Sequence, residues 1–274
     1  MTAWDDPALY PKQTPLGVWG VLRALRRGLP LALLVFGCLG ILLIVRMIER
    51  PIHGLHRPWT PYITQFVCRN AFRILGIGFS TQGQRMELKG AVVANHGSWL
   101  DIFTLNATKR VYFVPKSEVA NWLGIGWPAR ATGTVFINRD PREAKEQKEI
   151  FEARLLAGHK LLFFPEGTST DARRVIPFKS TLFEAFFTEG LRHEMHIQPV
   201  SVVYKAPKGE DPRFYGWWGD MDFAPHLVKV LGSQRQGSIT LIYHDPVRVD
   251  DFANRKSLAA YCENTVREGL PFTG

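Results

Sequence analysis

The sequence predicts an α/β fold: a mixed, largely buried sheet flanked by helices, preceded by an N-terminal membrane-anchoring helix or helix pair. Three observations carry this. From Leu88 onward, short apolar runs alternate with helical segments, the pattern of strands packed between helices. Upstream, Leu29 to Val45 holds no charged residue, long enough with its flanks to approach the ~30 Å of a bilayer core. Within the later stretch stands a complete helix-start signal, Asp140-Pro141-Arg142-Glu143, with a cap, a proline at the first helical position and an acid three residues after the cap.

Taken in order, residues 1–28 form a juxtamembrane segment bearing Arg23, Arg26 and Arg27. Residues 29–50 are the anchor helix, spanning the bilayer or lying in one leaflet. A cleaved signal peptide fits poorly, because the apolar run starts late and no small-residue cleavage site follows it. Basic residues flank the run on both sides, with Arg46 and Arg50 beyond it, so charge bias leaves its orientation open. Residues 51–87 hold a second amphipathic helix and a connection, with Ile63, Phe66, Val67, Asn70, Ala71, Ile74 and Leu75 at helical spacing. That face suits packing on the anchor, lying in the interface, or joining the core of the following domain.

Residues 88–250 form the main domain. Ala91 to Ala94, Val111 to Val114, Thr134 to Ile137, Leu161 to Phe164, Ile197 to Tyr204 and Ile239 to Tyr243 read as strands, apolar enough for a sheet covered on both faces. The helix opening at Asp140 runs to Leu156 and stops at Gly158, a natural residue just past a helix end. Residues 251–274 close the chain with a helix from about Ser257 to Glu268.

Composition narrows the function. A net charge of +9 invites nucleic acid, yet no helix-turn-helix, zinc-finger or aromatic-basic strand motif accompanies it. Beside an apolar anchor the same charge suits an anionic membrane surface, where each nearby Lys or Arg contributes ~1 kcal/mol. The three cysteines, Cys38, Cys68 and Cys262, are far apart and form no CxxC pair, which favours a reducing compartment and no structural metal. His193-Glu194-Met195-His196 has the wrong spacing for an HExxH zinc site. No GxSxG elbow, P-loop or GxGxxG is present, and the Asn106-Ala107-Thr108 sequon has no role on a cytoplasmic domain.

Two short strings carry the chemistry: Asn95-His96-Gly97-Ser98-Trp99-Leu100-Asp101 and Phe164-Pro165-Glu166-Gly167-Thr168-Ser169. In the first, a histidine suited to general-base work precedes a carboxylate that would fix its tautomer and stabilise the imidazolium. Positions five apart on a continuous helix differ by ~140°, so the pair meets only if His96 lies in the turn before the helix and Asp101 in its second turn. Asn95 and Gly97 permit such a turn. The second string places an acid, a glycine and hydroxyls after an apolar strand, where α/β ligand sites concentrate.

Together, in this order and 69 positions apart from His96 to Pro165, these strings resemble the glycerolipid acyltransferase family, whose signatures are His-x4-Asp and Phe-Pro-Glu-Gly-Thr. The resemblance runs roughly from Val92 to Val203. It implies transfer of a fatty acyl group from an acyl thioester to the free hydroxyl of a lysolipid, the donor being acyl carrier protein or coenzyme A, with no further cofactor and no metal. It makes His96 and Asp101 catalytic and assigns Glu166, Gly167 and Thr168 to the acyl acceptor. From the residues, the Gly167 N–H is also a candidate oxyanion donor. Val135-Phe136-Ile137-Asn138-Arg139 matches the family's third block and makes Arg139 a headgroup ligand. Lys116 matches a position near the site, and Ile197-Gln198-Pro199-Val200 matches a fourth block that in the family lies along the acyl-chain path, although by its residues alone this block reads first as a buried strand.

One departure bears on the acceptor. Lysophosphatidate acyltransferases commonly continue the second motif with arginine, where this chain has Ser169-Thr170-Asp171 and only then Arg173-Arg174. That continuation is similar to the bacterial lyso-ornithine lipid acyltransferases. It implies an aminolipid acceptor first and lysophosphatidate second, in the bacterial inner (cytoplasmic) membrane with the catalytic domain on the cytoplasmic side. A basic membrane-binding protein without turnover is a third, weaker reading, opposed by the intact His96, Asp101 and Glu166.

Overall fold

Val18–His53 forms one unbroken helix, α1, in the computed structural model of the chain, which describes residues 10–11, 15–115, 126–136 and 144–272. No break separates the basic stretch from the apolar run, so the division expected at residues 28 and 29 is not structural. The described elements continue as α2 (Thr60–Leu75), β1 (Gly78–Gln82), β2 (Gly90–Ala94), α3 (Asp101–Thr108), β3 (Tyr112–Phe113), α4 (Gly126–Ala131), α5 (Ala144–Leu156) and β4 (Leu161–Phe163). A 3₁₀ stretch, Ser180–Phe187, then leads to α6 (Glu189–Arg192), β5 (His196–Lys205), α7 (Phe223–Gly232), β6 (Ser238–Tyr243), β7 (Val247–Arg248) and α8 (Arg255–Glu268).

The strands make one mixed sheet in the order β1-β6-β5-β2-β4-β3, with β7 against β5. β2 pairs in parallel with both β4 and β5, whereas β6 meets β5 antiparallel. The carboxyl ends of β2, β4 and β5 therefore share one edge of the sheet. Helices α1, α2, α3 and α7 supply the core on one face, around Leu75, Leu100, Leu105 and Tyr204. On the other face α5, the 3₁₀ stretch and α8 pack Leu155, Phe183, Phe186 and Cys262 onto Leu161 and Phe163. Each such buried side chain contributes about 1.5–3 kcal/mol, and β2, buried at every position, shows why its run carries no polar residue.

Several sequence expectations change. Thr134 to Phe136 form no ladder and make one strand-like bond, Val135 N–H to the Phe113 carbonyl at 2.9 Å, while Ile137 lies outside the described residues. β1 reads Gly-Phe-Ser-Thr-Gln and is almost wholly exposed, so this edge strand has no apolar run to announce it. The sheet thus begins before residue 88. The cap of α5 at Asp140 lies outside the described residues, but the helix ends as expected, with Gly158 at φ +79°.

Helix α2 answers two expectations at once. It buries Cys68, Ala71, Phe72 and Leu75 in the core and exposes Tyr62 and Phe66. Its first turn lacks a side-chain cap of its own. Instead Glu49 of α1 accepts from the Trp59 and Thr60 N–H groups and the Thr60 hydroxyl at 2.8–3.1 Å, with Arg46 on its other side at 3.0 Å. A carboxylate from a neighbouring helix thereby satisfies the orphan donors of this one.

Candidate active site

His96 leaves the carboxyl end of β2 and enters a tight turn rather than a helix. Asn95 holds that exit: its side chain accepts from the Val202 N–H at 2.7 Å and donates to the Val202 carbonyl at 3.0 Å, extending the β2–β5 pairing by one rung. The turn closes with the Asp101 N–H on the Ser98 carbonyl at 3.1 Å, and α3 begins at Asp101 itself. Asp101 is therefore in the first helical turn, not the second, and the turn at 97–100 brings it back to the histidine.

The Asp101 carboxylate is fully buried. Its Oδ2 receives His96 Nδ1 at 2.7 Å and the N–H groups of Gly97 and Ser98 at 3.0 Å each. Its Oδ1 accepts the Tyr204 hydroxyl at 2.5 Å. Two of these donors are backbone amides and cannot reverse roles, so the acceptor-only carboxylate calls for His96 in the tautomer protonated at Nδ1. That leaves Nε2 as an unprotonated base. The ring lies flat on Phe164, centroids 4.1 Å apart and planes 11° apart, and its side chain keeps 22% exposure for a substrate to reach.

The loop around His96 is pinned from every side. Thr170 donates both its N–H, at 2.7 Å, and its hydroxyl, at 3.1 Å, to the His96 carbonyl. Trp217 N–H holds the Gly97 carbonyl at 3.0 Å. Gly97 is required by contact, since a Cβ there would sit 2.7 Å from that of Ala172, itself in the left-handed region at φ +62°. Trp99 donates its indole N–H to His226 Nδ1 at 3.0 Å. Burial drives His226 down to about 3, so its imidazole is neutral and able to accept.

Glu166 departs from its sequence assignment. It is 1% exposed, with Oε1 accepting the His96 N–H at 2.7 Å and Oε2 the Ile176 N–H at 2.9 Å. A carboxyl enclosed this way does not reach an acceptor headgroup; it ties the His96 turn to the loop at 173–178. Burial pushes it up to about 8, the Asp101 charge adds to that, and the two backbone bonds oppose it. The Gly167 N–H, a candidate oxyanion donor from the sequence, closes a turn onto the Phe164 carbonyl at 3.0 Å and is engaged there. Gly167 sits at φ +72°, with the Lys179 ammonium 2.6 Å from where a Cβ would stand. Thr168 is exposed beside it.

The other cations expected near the site divide. Lys116 and Arg139 lie outside the described residues. Arg174 forms a forked pair with the buried Asp171, Nη2 to Oδ2 at 2.8 Å, and Arg173 stacks on Phe272 at 3.4 Å. Tyr204 and Lys179 carry no signal in the sequence that marks them for a site. Tyr204 reads as one more strand residue, and Lys179 as part of a basic surface. A serine–histidine pair away from this site is structural: Ser201 accepts from His244 at 2.8 Å and donates to the Val266 carbonyl at 2.7 Å, so its hydroxyl proton is engaged with the last helix. Among the described residues no cluster suits a metal ion.

A base held by a buried carboxylate at the carboxyl ends of parallel strands is the arrangement for activating a hydroxyl, and the chain belongs to the acyltransferase family. The family model matches residues 80–203. Beyond that match, the chain is 58% identical to the lyso-ornithine lipid O-acyltransferase of Rhodobacter capsulatus, over 97% of this chain and 95% of that protein. It is 35% identical to the enzyme of the same description in Brucella abortus, over 78% of this chain and 83% of that one. The crystal structure of the 1-acyl-sn-glycerophosphate acyltransferase of Thermotoga maritima superposes with a TM-score of 0.63 over 91% of this chain and 94% of that one, at 22% identity, a likeness of fold. The chain is an acyltransferase.

Proposed function

We propose that this enzyme moves a fatty acyl group from an acyl thioester to the free hydroxyl of a lyso-ornithine-type lipid, with His96 as base and Asp101 as its charged partner. The 58% identity over nearly the whole chain carries the acceptor assignment; the His96–Asp101 geometry carries the mechanism. The acceptor oxygen attacks the thioester carbonyl as Nε2 takes its proton, and Asp101 stabilises the imidazolium. Collapse of the tetrahedral intermediate breaks the C–S bond, and the imidazolium returns the proton to the leaving thiolate. The donor is acyl carrier protein or coenzyme A.

Among the described residues, the cations favour an acceptor carrying one carboxylate over a dianionic phosphate. Ser169 stands where lysophosphatidate enzymes commonly place arginine, and Arg174 just beyond is paired with Asp171. Lys179, exposed against Gly167, offers one ammonium beside the turn. Lysophosphatidate remains the second reading because acyltransferases for that acceptor in Neisseria gonorrhoeae share 37% identity over 43% of this chain. Competition between the two lysolipids for purified enzyme tests this. Equal or greater transfer to lysophosphatidate overturns the aminolipid assignment.

We further place the enzyme at the cytoplasmic face of a bacterial inner membrane with α1 lying in one leaflet. The residues α1 buries are Gly20, Arg27, Leu31, Leu42 and Glu49. Steps of seven, four, eleven and seven keep all five within about 60° on a 3.6-residue helix. Leu22, Leu29, Leu33, Phe36, Ile44 and Met47 stay exposed elsewhere around the helix. Docked along its length, α1 presents an apolar surface rather than a free spanning segment.

A further inference from the structure

We infer that Tyr204 is a positioning residue of the reaction, the far member of a Tyr204–Asp101–His96 chain that sets how strongly the carboxylate holds the base. This rests on the reading of His96 as base. Tyr204 stands on β5, on the strand next to the one that ends at His96, and its ring is 1% exposed in the core. Its hydroxyl donates to Asp101 Oδ1 at 2.5 Å, while His96 holds Oδ2 at 2.7 Å. The two carboxylate oxygens thus face opposite partners, and charge drawn toward one is withdrawn from the other.

The direction of the bond is fixed. Asp101 is an acceptor toward two backbone N–H groups and His96, so the phenol must donate. Burial, followed by the Asp101 charge, holds the phenol well above its ordinary range, which keeps the proton on oxygen. Packing fixes the ring as well: Tyr215 lies 5.9 Å away on one side, and β5 carries Val202, two residues back, to its pair of bonds with Asn95. Displacement of β5 would therefore reach both the base's turn and its carboxylate.

A buried apolar pocket for Asp101 would need only a phenylalanine here. Replacing Tyr204 by Phe keeps the ring and deletes the phenol's bond to Asp101, with its contacts to the Thr104 and Ser98 hydroxyls, leaving Oδ1 without its tyrosine donor. With charge no longer drawn toward the phenol, Oδ2 binds the imidazolium more tightly and the base is less precisely held. Other titratable groups around the pair are few. Glu166 faces His96 through the backbone N–H, Tyr215 packs on Tyr204, and Arg267 is felt at Glu166.

The test uses full-length enzyme in detergent with a lysolipid acceptor and an acyl thioester. For Tyr204→Phe we expect kcat to fall about tenfold, KM to change less than about twofold, and the acid limb of the pH–rate profile to move to higher pH. Site-specific 3,5-difluorotyrosine at 204, a stronger donor, should move that limb to lower pH. It also decides the case should Tyr204→Phe lower the thermal midpoint too far to assay. Wild-type kcat and an unmoved acid limb in either variant overturn the inference, since a merely structural tyrosine would not shift that limb. His96→Ala is run alongside: if it retains activity, the base assignment itself is wrong, a different failure from an inert Tyr204.

Discussion

At the scale of residues, the site asks most of Asp101, which gathers four donors. Asp101→Asn can preserve that geometry, with its carbonyl oxygen toward His96, Gly97 and Ser98 and its amide toward the Tyr204 oxygen. What it removes is the charge opposite the imidazolium, so acyl transfer should fall about 10²–10³-fold, with the thermal midpoint near wild type. His96→Ala should lose at least as much, measured as transfer by purified membranes; near wild-type rates would end the mechanism. Glu166 makes a different prediction. Its carboxyl is held at about 8 when folded against 4.5 when free. A raised acid favours the folded state while neutral, so that stability is full below about pH 4.5 and lost by about pH 8. Glu166→Gln should flatten this decline in thermal midpoint between pH 5 and 8, and it should slow turnover because its amide opposes one backbone N–H. An unchanged slope would place the titration elsewhere. His96 and Asp101 were legible in the sequence because their spacing demands a turn, and the turn residues are there. The burial of Glu166 was not, since a motif shows which residues recur but not whether a carboxylate faces a ligand or two amides. Ser169→Arg carries the specificity argument: one charge-assisted bond contributes about 1.5–3 kcal/mol, so activity on lysophosphatidate relative to lyso-ornithine lipid should rise tenfold or more.

At the scale of elements, the long-range partners decide what local pattern leaves open. Helix α2 was visible from its apolar spacing, yet its start depends on Glu49, eleven positions before Thr60 and on another helix. Glu49→Ala should leave two backbone donors and a buried hydroxyl without an acceptor, at a cost of about 1–3 kcal/mol. A thermal scan in detergent measures this, and an unchanged midpoint would mean that water caps the helix equally well. Strand β1 escaped notice for the opposite reason. Its pairing with β6 runs from Gly78 opposite Ser238 to Gln82 opposite Ile242, but it is an edge strand with hardly any buried side chain, so nothing in its composition sets it apart from a loop. β2 was easy because both its faces are covered and every residue in it is apolar, and β5 because its apolar run outweighs the buried Gln198 and Ser201.

At the scale of the whole molecule, the apolar N-terminal run illustrates how length and composition alone misplace a boundary. The sequence shows an uncharged stretch that could cross a bilayer; the structure shows a 36-residue helix fastened at both ends. Near its start, Arg23 and Arg27 bond the carbonyls of Leu231, Gly232 and Ser233 at 2.6–2.8 Å, closing the end of α7. Cations suit that helix end, where the last carbonyls lack partners. Near its finish, Glu49 and Arg46 hold α2. At ~1.5 Å per residue α1 is ~54 Å long, and to span the bilayer it would have to break one of these attachments or carry α7 or α2 into the hydrocarbon. Lying in one leaflet requires neither. Single cysteines at Pro15 and His56, in a background with Cys38 replaced by alanine, should therefore behave alike in intact cells with the outer membrane permeabilised. Both should resist a membrane-impermeant maleimide and label fully once the inner membrane is opened. Labelling of one from outside and protection of the other would show that α1 crosses, and the docked helix would then not be its state in the membrane.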